Sequence, residues 1–213
     1  MADILPTNFP APTERSIATY NYTDIAEGTG VVIFYAGGVT NSAGEDFILV
    51  TNPYYGKPAD SSDNDNSSPI LGIREDLDFD ITFNMPQRIK GNAIVTIPFG
   101  FHGNSDIIPT TGYVIAKIRK WDGTSETEIA SVQSETTSTN SDSNYNDQIY
   151  ALKIPITTLQ DFKAGETLRL TIQAYAGGTG RIYWRLGHDP MDRTLGTFDT
   201  SQLRAQIPFV LDL

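Results

Sequence analysis

The stretch Leu77-Asp-Phe-Asp-Ile-Thr-Phe-Asn-Met85 decides the fold class. Leu77, Phe79, Ile81, Phe83 and Met85 alternate with Asp78, Asp80, Thr82 and Asn84. A period of two puts successive side chains on opposite faces of an extended chain. The stretch therefore predicts a strand with one face in a core and the other in water. A helix would scatter the same apolar residues around its axis.

The same period recurs on both sides of this stretch. Leu168, Leu170, Ile172 and Ala174 alternate with Arg169, Thr171, Gln173 and Tyr175. Ile182, Trp184 and Leu186 alternate with Arg181, Tyr183 and Arg185. Leu203, Ala205, Ile207, Phe209 and Leu211 alternate with Arg204, Gln206, Pro208, Val210 and Asp212. Further strands are expected over 16–25, 31–36, 46–52, 92–101, 112–121, 127–133 and 148–156, about eleven in all. No amphipathic helix emerges. Thr157–Lys163 fits a single helical turn after Pro155, closed by Ala164-Gly165. Many short strands with Gly, Asn and Pro between them predict an all-β fold. The expected architecture is an antiparallel two-sheet jelly-roll sandwich, one domain over residues 13–213.

Punctuation refines this picture. Ile97-Pro98-Phe99, Ile154-Pro155-Ile156 and Ile207-Pro208-Phe209 place proline inside apolar strands. Proline has no N–H to give a ladder, so these prolines belong at edges, bulges or strand ends. Residues 57–69 and 133–148 are nearly devoid of apolar side chains and read as solvent-facing loops. Gly177-Gly178-Thr179-Gly180 falls between two strong strands and reads as a tight hairpin turn.

Residues 1–12 read as an extended N-terminal arm. Pro6, Pro10 and Pro12 oppose a helix, and Ile4, Leu5 and Phe9 are its apolar points. Two readings stand: a disordered terminus, or an arm that docks Ile4, Leu5, Pro6, Phe9 and Pro10 on a neighbour. The arm has neither Lys nor Arg and no long apolar run, so it does not read as a secretory signal.

Composition removes several function classes. The chain has 213 residues, with 15 Lys plus Arg against 26 Asp plus Glu, a formal net charge of −11. A phosphate backbone is repelled by such a surface, so no nucleic-acid partner is expected. No run is apolar enough for a membrane helix, so no membrane partner is expected either. Cysteine is absent, which removes disulfides, thiol catalysis and cysteine-ligated metals.

The remaining chemistry is thin. His102 and His188 are the only histidines, and no G-x-S-x-G elbow accompanies them. Asp78 and Asp80 share a strand face at roughly 6–7 Å, near the spacing of an inverting glycosidase pair. Glu126 and Glu128 repeat that arrangement. Outward strand positions give such pairs by default, so a solvated face is the favoured reading. Asp60, Asp63 and Asp65 offer oxygen to a cation, but their spacing fails the EF-hand pattern. Tyr54, Tyr55, Trp121, Tyr145, Tyr175 and Tyr183 fall in loops or on outward faces, where rings can stack on a glycan. No catalytic residue, metal site or cofactor is expected.

The run Arg181-Ile-Tyr-Trp-Arg-Leu-Gly-His188-Asp189-Pro190-Met-Asp-Arg193 resembles the strand and "HDP…R" turn of jelly-roll virion proteins of tailed bacteriophages. Tyr20–Asp24 and Val31–Tyr35 look like the opening strands of such proteins. In scale and texture the whole chain is similar to a head decoration, or cement, protein. The resemblance implies a homotrimer bound to the major capsid protein at capsomer junctions. It would lie on the outer surface of the virion head, and in the host cytoplasm before assembly. A carbohydrate-binding module on a virion surface is the alternative. The turn also has its own physical reading. Pro190 keeps Asp189 out of helical geometry, Asp189 can form an Asx-turn, and Arg193 can clamp its carboxylate. His188, Asp189, Pro190 and Arg193 are thus expected to build a structural corner.

Overall fold

The structure is a computed structural model. It describes residues 18–19, 29–41, 44–53, 60–65, 70–104, 109–140, 144–178, 180–193 and 200–210. The arm residues Ile4, Leu5, Pro6, Phe9 and Pro10 lie outside the described residues.

The fold is all-β, a sandwich of the jelly-roll class. Among the described residues there are thirteen strands. They are β1 (Ala18–Thr19), β2 (Thr29–Asn41), β3 (Gly44–Val50), β4 (Asp60–Asp65), β5 (Gly72–Thr82), β6 (Gln87–His102) and β7 (Thr110–Trp121). Then come β8 (Glu126–Gln133), β9 (Thr137–Thr139), β10 (Asn146–Phe162), β11 (Thr167–Gly177), β12 (Ile182–Gly187) and β13 (Arg204–Val210). No helix of the described residues is long and apolar enough to cross a membrane.

The strands follow one hydrogen-bonded path, β4-β12-β6-β13-β2-β3-β5-β11-β7-β8. β10 flanks β6, β1 flanks β2 and β9 pairs the start of β7. Every pairing is antiparallel except β3 with β5, which touch in parallel through the single pair Ile48–Asp80. The sheet is therefore mixed, where the sequence predicts a wholly antiparallel one.

The path folds over so that its two halves share one core. Phe83, just beyond β5, packs on Phe162 of β10 and Phe209 of β13 at 5.3 and 5.9 Å between ring centroids. Phe101 of β6 lies against Gly112 of β7, where an added Cβ would fall 2.6 Å from the ring. Glycine is the residue that permits this approach. Period-two burial is clearest in β10, where Tyr150, Leu152, Ile154 and Ile156 are buried between exposed neighbours.

β6 is the longest-paired element of the core. β10 runs along one edge of it, while β12 and β13 lie end to end along the other. Pro98 faces the gap where β12 stops at Leu186 and β13 starts at Arg204. Pro155 lies on β10, whose ladder is with β6 alone, and Pro208 lies at a register shift of β13. All three prolines thus sit where a missing N–H is tolerated. Gly91 of β6 adopts a φ of 123°, and both neighbouring strands change register beside it. The bend needs a residue without a Cβ.

Four further expectations are corrected. Residues Asp60–Asp65, expected as loop, form β4 against β12. The segment 157–163 is no helical turn, because β10 continues through a register shift to Phe162. Met85 falls beyond β5 and is 68% exposed. Gly177–Gly180 is not a hairpin, since β11 pairs with β5 and β7 while β12 pairs with β4 and β6. The glycines carry the chain between layers.

Candidate functional site

The corner after β12 is the most heavily bonded non-strand segment described. Pro190 closes further extension, and the Asp189 carboxylate turns back to accept from the Met191 N–H at 3.1 Å. The Arg193 guanidinium forks onto the same carboxylate at 2.7 and 2.8 Å. Asp189 is buried, and burial pushes its pKa up. The Arg193 contacts and the Met191 N–H outweigh this and hold it below the ordinary value. Asp192 adopts a φ of 53° and accepts from the Ser201 N–H at 2.8 Å. The Asp189 N–H in turn donates to the Ser201 carbonyl at 3.0 Å. These bonds hold the end of β12 beside the approach to β13.

His188 points the other way, into the core. Its ring meets Phe47 edge-on at 5.4 Å and Phe79 at 5.7 Å. Burial pushes its pKa down to about 4, so it is neutral at pH 7. Nε2 lies 3.1 Å from the Ser61 hydroxyl. A serine beside a histidine invites a catalytic reading, but in the catalytic triad a third group orients the base through its second nitrogen, and substrate must reach the pair. Here Nδ1 has no hydrogen-bond partner among the described residues, and the side chain is 1% exposed. The adjacent Asp189 is held by Arg193. His102 is likewise structural in its contacts: Nδ1 meets the Gly103 carbonyl at 2.7 Å, and the ring stacks on Tyr183 at 4.5 Å.

The paired carboxylates are tied into a charge ladder on the outer face of β5, β11 and β7. Asp80 receives the Arg169 fork at 2.8 and 2.7 Å, and Asp78 accepts from the Thr171 hydroxyl. Glu126 bridges Arg119 and Arg169 at 2.8 and 3.0 Å, while Glu128 accepts from Ser131. The bonds to Asp80 lead in pushing the Arg169 pKa up. Beside this ladder an open groove of about 440 Å³ runs between β3 and β5, with Asp46, Asp76, Asp78 and Asp80 along it.

A polar cluster that the sequence did not reveal lies between the layers. β5 has one residue more than β11 at this point: Ala174 faces Glu75 and Tyr175 faces Ile73, with Arg74 bulged out between them. Arg74 donates to the Ala176 carbonyl at 2.9 Å, pairs with Asp65 at 2.5 Å and covers the Trp184 ring at 5.5 Å. Glu75 accepts from the Trp184 indole at 2.9 Å. Burial raises the Glu75 pKa, the indole bond lowers it in part, and Asp63 raises it further. The one available signal was Arg74 as the sole base among the acids of 58–80.

The exposed-aromatic expectation is met only in part. Tyr113 and Tyr175 stack on each other at 4.6 Å, Arg185 covers Tyr145 at 4.2 Å, and Arg169 covers Trp121 at 5.7 Å. Each of these rings already has one face occupied. Tyr54 and Tyr55 lie outside the described residues. Among the described residues, no group of three or more His, Asp or Glu is placed to hold a metal ion.

No family model matches the chain, and no curated protein matches it. Among solved structures it is similar to an α-amino acid ester hydrolase, with a TM-score of 0.53 and 11% identity, over 83% of this chain and 36% of that one. It is similar to an aminopeptidase from a marine sediment Thaumarchaeota archaeon, with a TM-score of 0.52 and 9% identity, over 83% and 36% of the two chains. A CocE/NonD family hydrolase from Staphylococcus aureus gives 0.48 and 15%, over 85% and 37%. The chain spans little more than a third of each of these proteins. For the first two, at such identities, the likeness is one of fold.

Proposed function

We propose that this chain is a non-enzymatic structural protein that works by adhesion, namely a head decoration protein of a tailed bacteriophage. It acts as a homotrimer on the outer surface of the virion head, contacting the major capsid protein where capsomers meet. The observation that carries the reading is the use made of the resembling segment. Arg181–Arg193 supplies β12 and then a bonded corner, and its Asp189 carboxylate holds Arg193 rather than facing a cleft. The commitment of Asp78, Asp80 and Glu126 to the Arg169 ladder supports the same reading.

Immunogold electron microscopy of purified parent particles tests this. Label at regular positions on the head is expected. Particles free of label, or turnover of an ester, peptide or glycan by the purified chain, would overturn it.

Glycan binding is the second reading, favoured by one observation. The stacked Tyr113–Tyr175 pair stands on an outer face beside Gln173 and Asp76, so rings and hydrogen-bonding groups are adjacent there. A glycan array separates the two: selective retention of a sugar class, lost in Tyr175→Ala, would favour this reading over the first.

A further inference from the structure

The single parallel contact in the sheet lies beside an open groove. β3 is antiparallel to β2, and β5 is antiparallel to β11. β3 and β5 run in the same direction and share only the pair Ile48–Asp80. A strand laid between them, antiparallel to both, would restore the alternation that holds everywhere else among the described strands. On the N-terminal side of that pair the two strands flank the groove of about 440 Å³.

The walls of this groove sort by face. Paired residues share a face, so Ile48 and Asp80 both look outward. Asp46 falls on that side by the two-residue period, as do Asp76 and Asp78 beside Gln173 and Thr171. Phe47 and Leu77 point inward and pack against the core. Four aspartates against one arginine, Arg169, give the groove a net charge of −3.

We propose that this groove takes up an extended segment of a partner protein in which Lys or Arg alternates with apolar residues. The segment adds as a strand antiparallel to β3 and β5. Its outward side chains meet Asp46, Asp76 and Asp78, and its inward ones rest on Phe47 and Leu77. Main-chain bonds supply affinity and the alternation supplies selectivity. The paired length of β3 before Ile48 is Gly44–Phe47, so the core of the segment is about four residues, or roughly 13 Å. This inference rests on the sheet and not on the virion reading, and either can fail alone.

The test uses the full chain and fluorescein-labelled peptides in low salt, read by fluorescence anisotropy. The peptide Lys-Leu-Lys-Val-Lys-Leu should bind. Isomers with the lysines gathered at one end, or with alternate backbone nitrogens methylated, should bind far more weakly. Amide hydrogen exchange should slow in β3 and β5 on binding and stay unchanged in β8. Asp46→Asn with Asp78→Asn should weaken binding about tenfold. Should that variant misfold, the isomer and exchange comparisons on the unaltered chain decide. Equal binding of the gathered or methylated peptides, no binding at all, or protection elsewhere would overturn the proposal. So would a peptide copying residues 1–12 displacing the basic one.

Discussion

The Nε2 of His188 meets the Ser61 hydroxyl at 3.1 Å, joining residues 127 positions apart. This contact fastens the acidic strand β4 to the end of β12 from inside the core. The imidazole lies against Phe47 and Phe79, and burial there biases it toward the neutral form.

That bias fixes a pH dependence. The folded pKa of about 4 lies below the ordinary 6.5, so the unfolded chain binds the proton more readily. Stability from this group is present above pH 6.5 and is lost as pH falls toward 4. The loss is on the order of 3 kcal/mol. Urea midpoints at pH 7 and pH 4.5 measure it, and His188→Phe should flatten that slope. An unchanged slope in the variant would refute the assignment.

Glu75 has the opposite sign. Its folded pKa is raised above 4.5, chiefly by burial, so its stabilising contribution is complete below 4.5 and declines as pH rises through the folded value. Glu75→Gln keeps an acceptor for the Trp184 indole without the buried charge. Thermal unfolding should show a higher midpoint than the parent at pH 7 and no gain at pH 4. A lower midpoint at pH 7 would mean that the charge holds Arg74 or a neighbour in place.

Removal of Arg193 leaves the Asp189 carboxylate buried without its fork. Arg193→Ala should cost about 3 kcal/mol at pH 7. Arg193→Lys should recover little of it, because one ammonium cannot reproduce two parallel bonds. The penalty should shrink at acid pH, because burial without the fork raises the pKa of the Asp189 carboxylate in the folded variant, which then takes up a proton before the parent's does. Equilibrium denaturation of the two variants across this range checks all three statements.

The approach of Gly112 to Phe101 predicts a steric coupling between the layers. Gly112→Ala should destabilise by about 1–3 kcal/mol through overpacking. Phe101→Leu makes room, so the alanine should cost less in that background. A double-mutant cycle reads the coupling, and simple additivity would show that the ring does not limit the approach.

Strands with a two-residue apolar period were legible, because that period is a local property of the chain. The inward faces of β11, β12 and β13 match the alternation read from Leu168, Ile182 and Leu203 onward. β4 was not legible. Asp-Ser-Ser-Asp-Asn-Asp carries no apolar side chain, and it is held as a strand by the β12 ladder, by Arg74 on Asp65 and by His188 on Ser61. The extension of β10 past Ile156 was hidden for the same reason, since its pairing to β6 is remote in sequence. Asp189 and Arg193 were readable because their geometry is set within five residues by Pro190 and the Asx-turn. The Arg74 bulge left no local trace, because a bulge is a mismatch between two strands and shows only when both are in view.

The seat of β13 between β6 and β2 has a consequence for biogenesis. A ribosome releases β2 and β6 long before residue 204, yet neither can complete its ladder until β13 arrives. Until then the nascent polypeptide carries two unfinished edges at what will be its centre. Closure of the sheet must therefore await synthesis of β13, and a message cut short before residue 204 would yield a product with both of these edges bare and prone to stick.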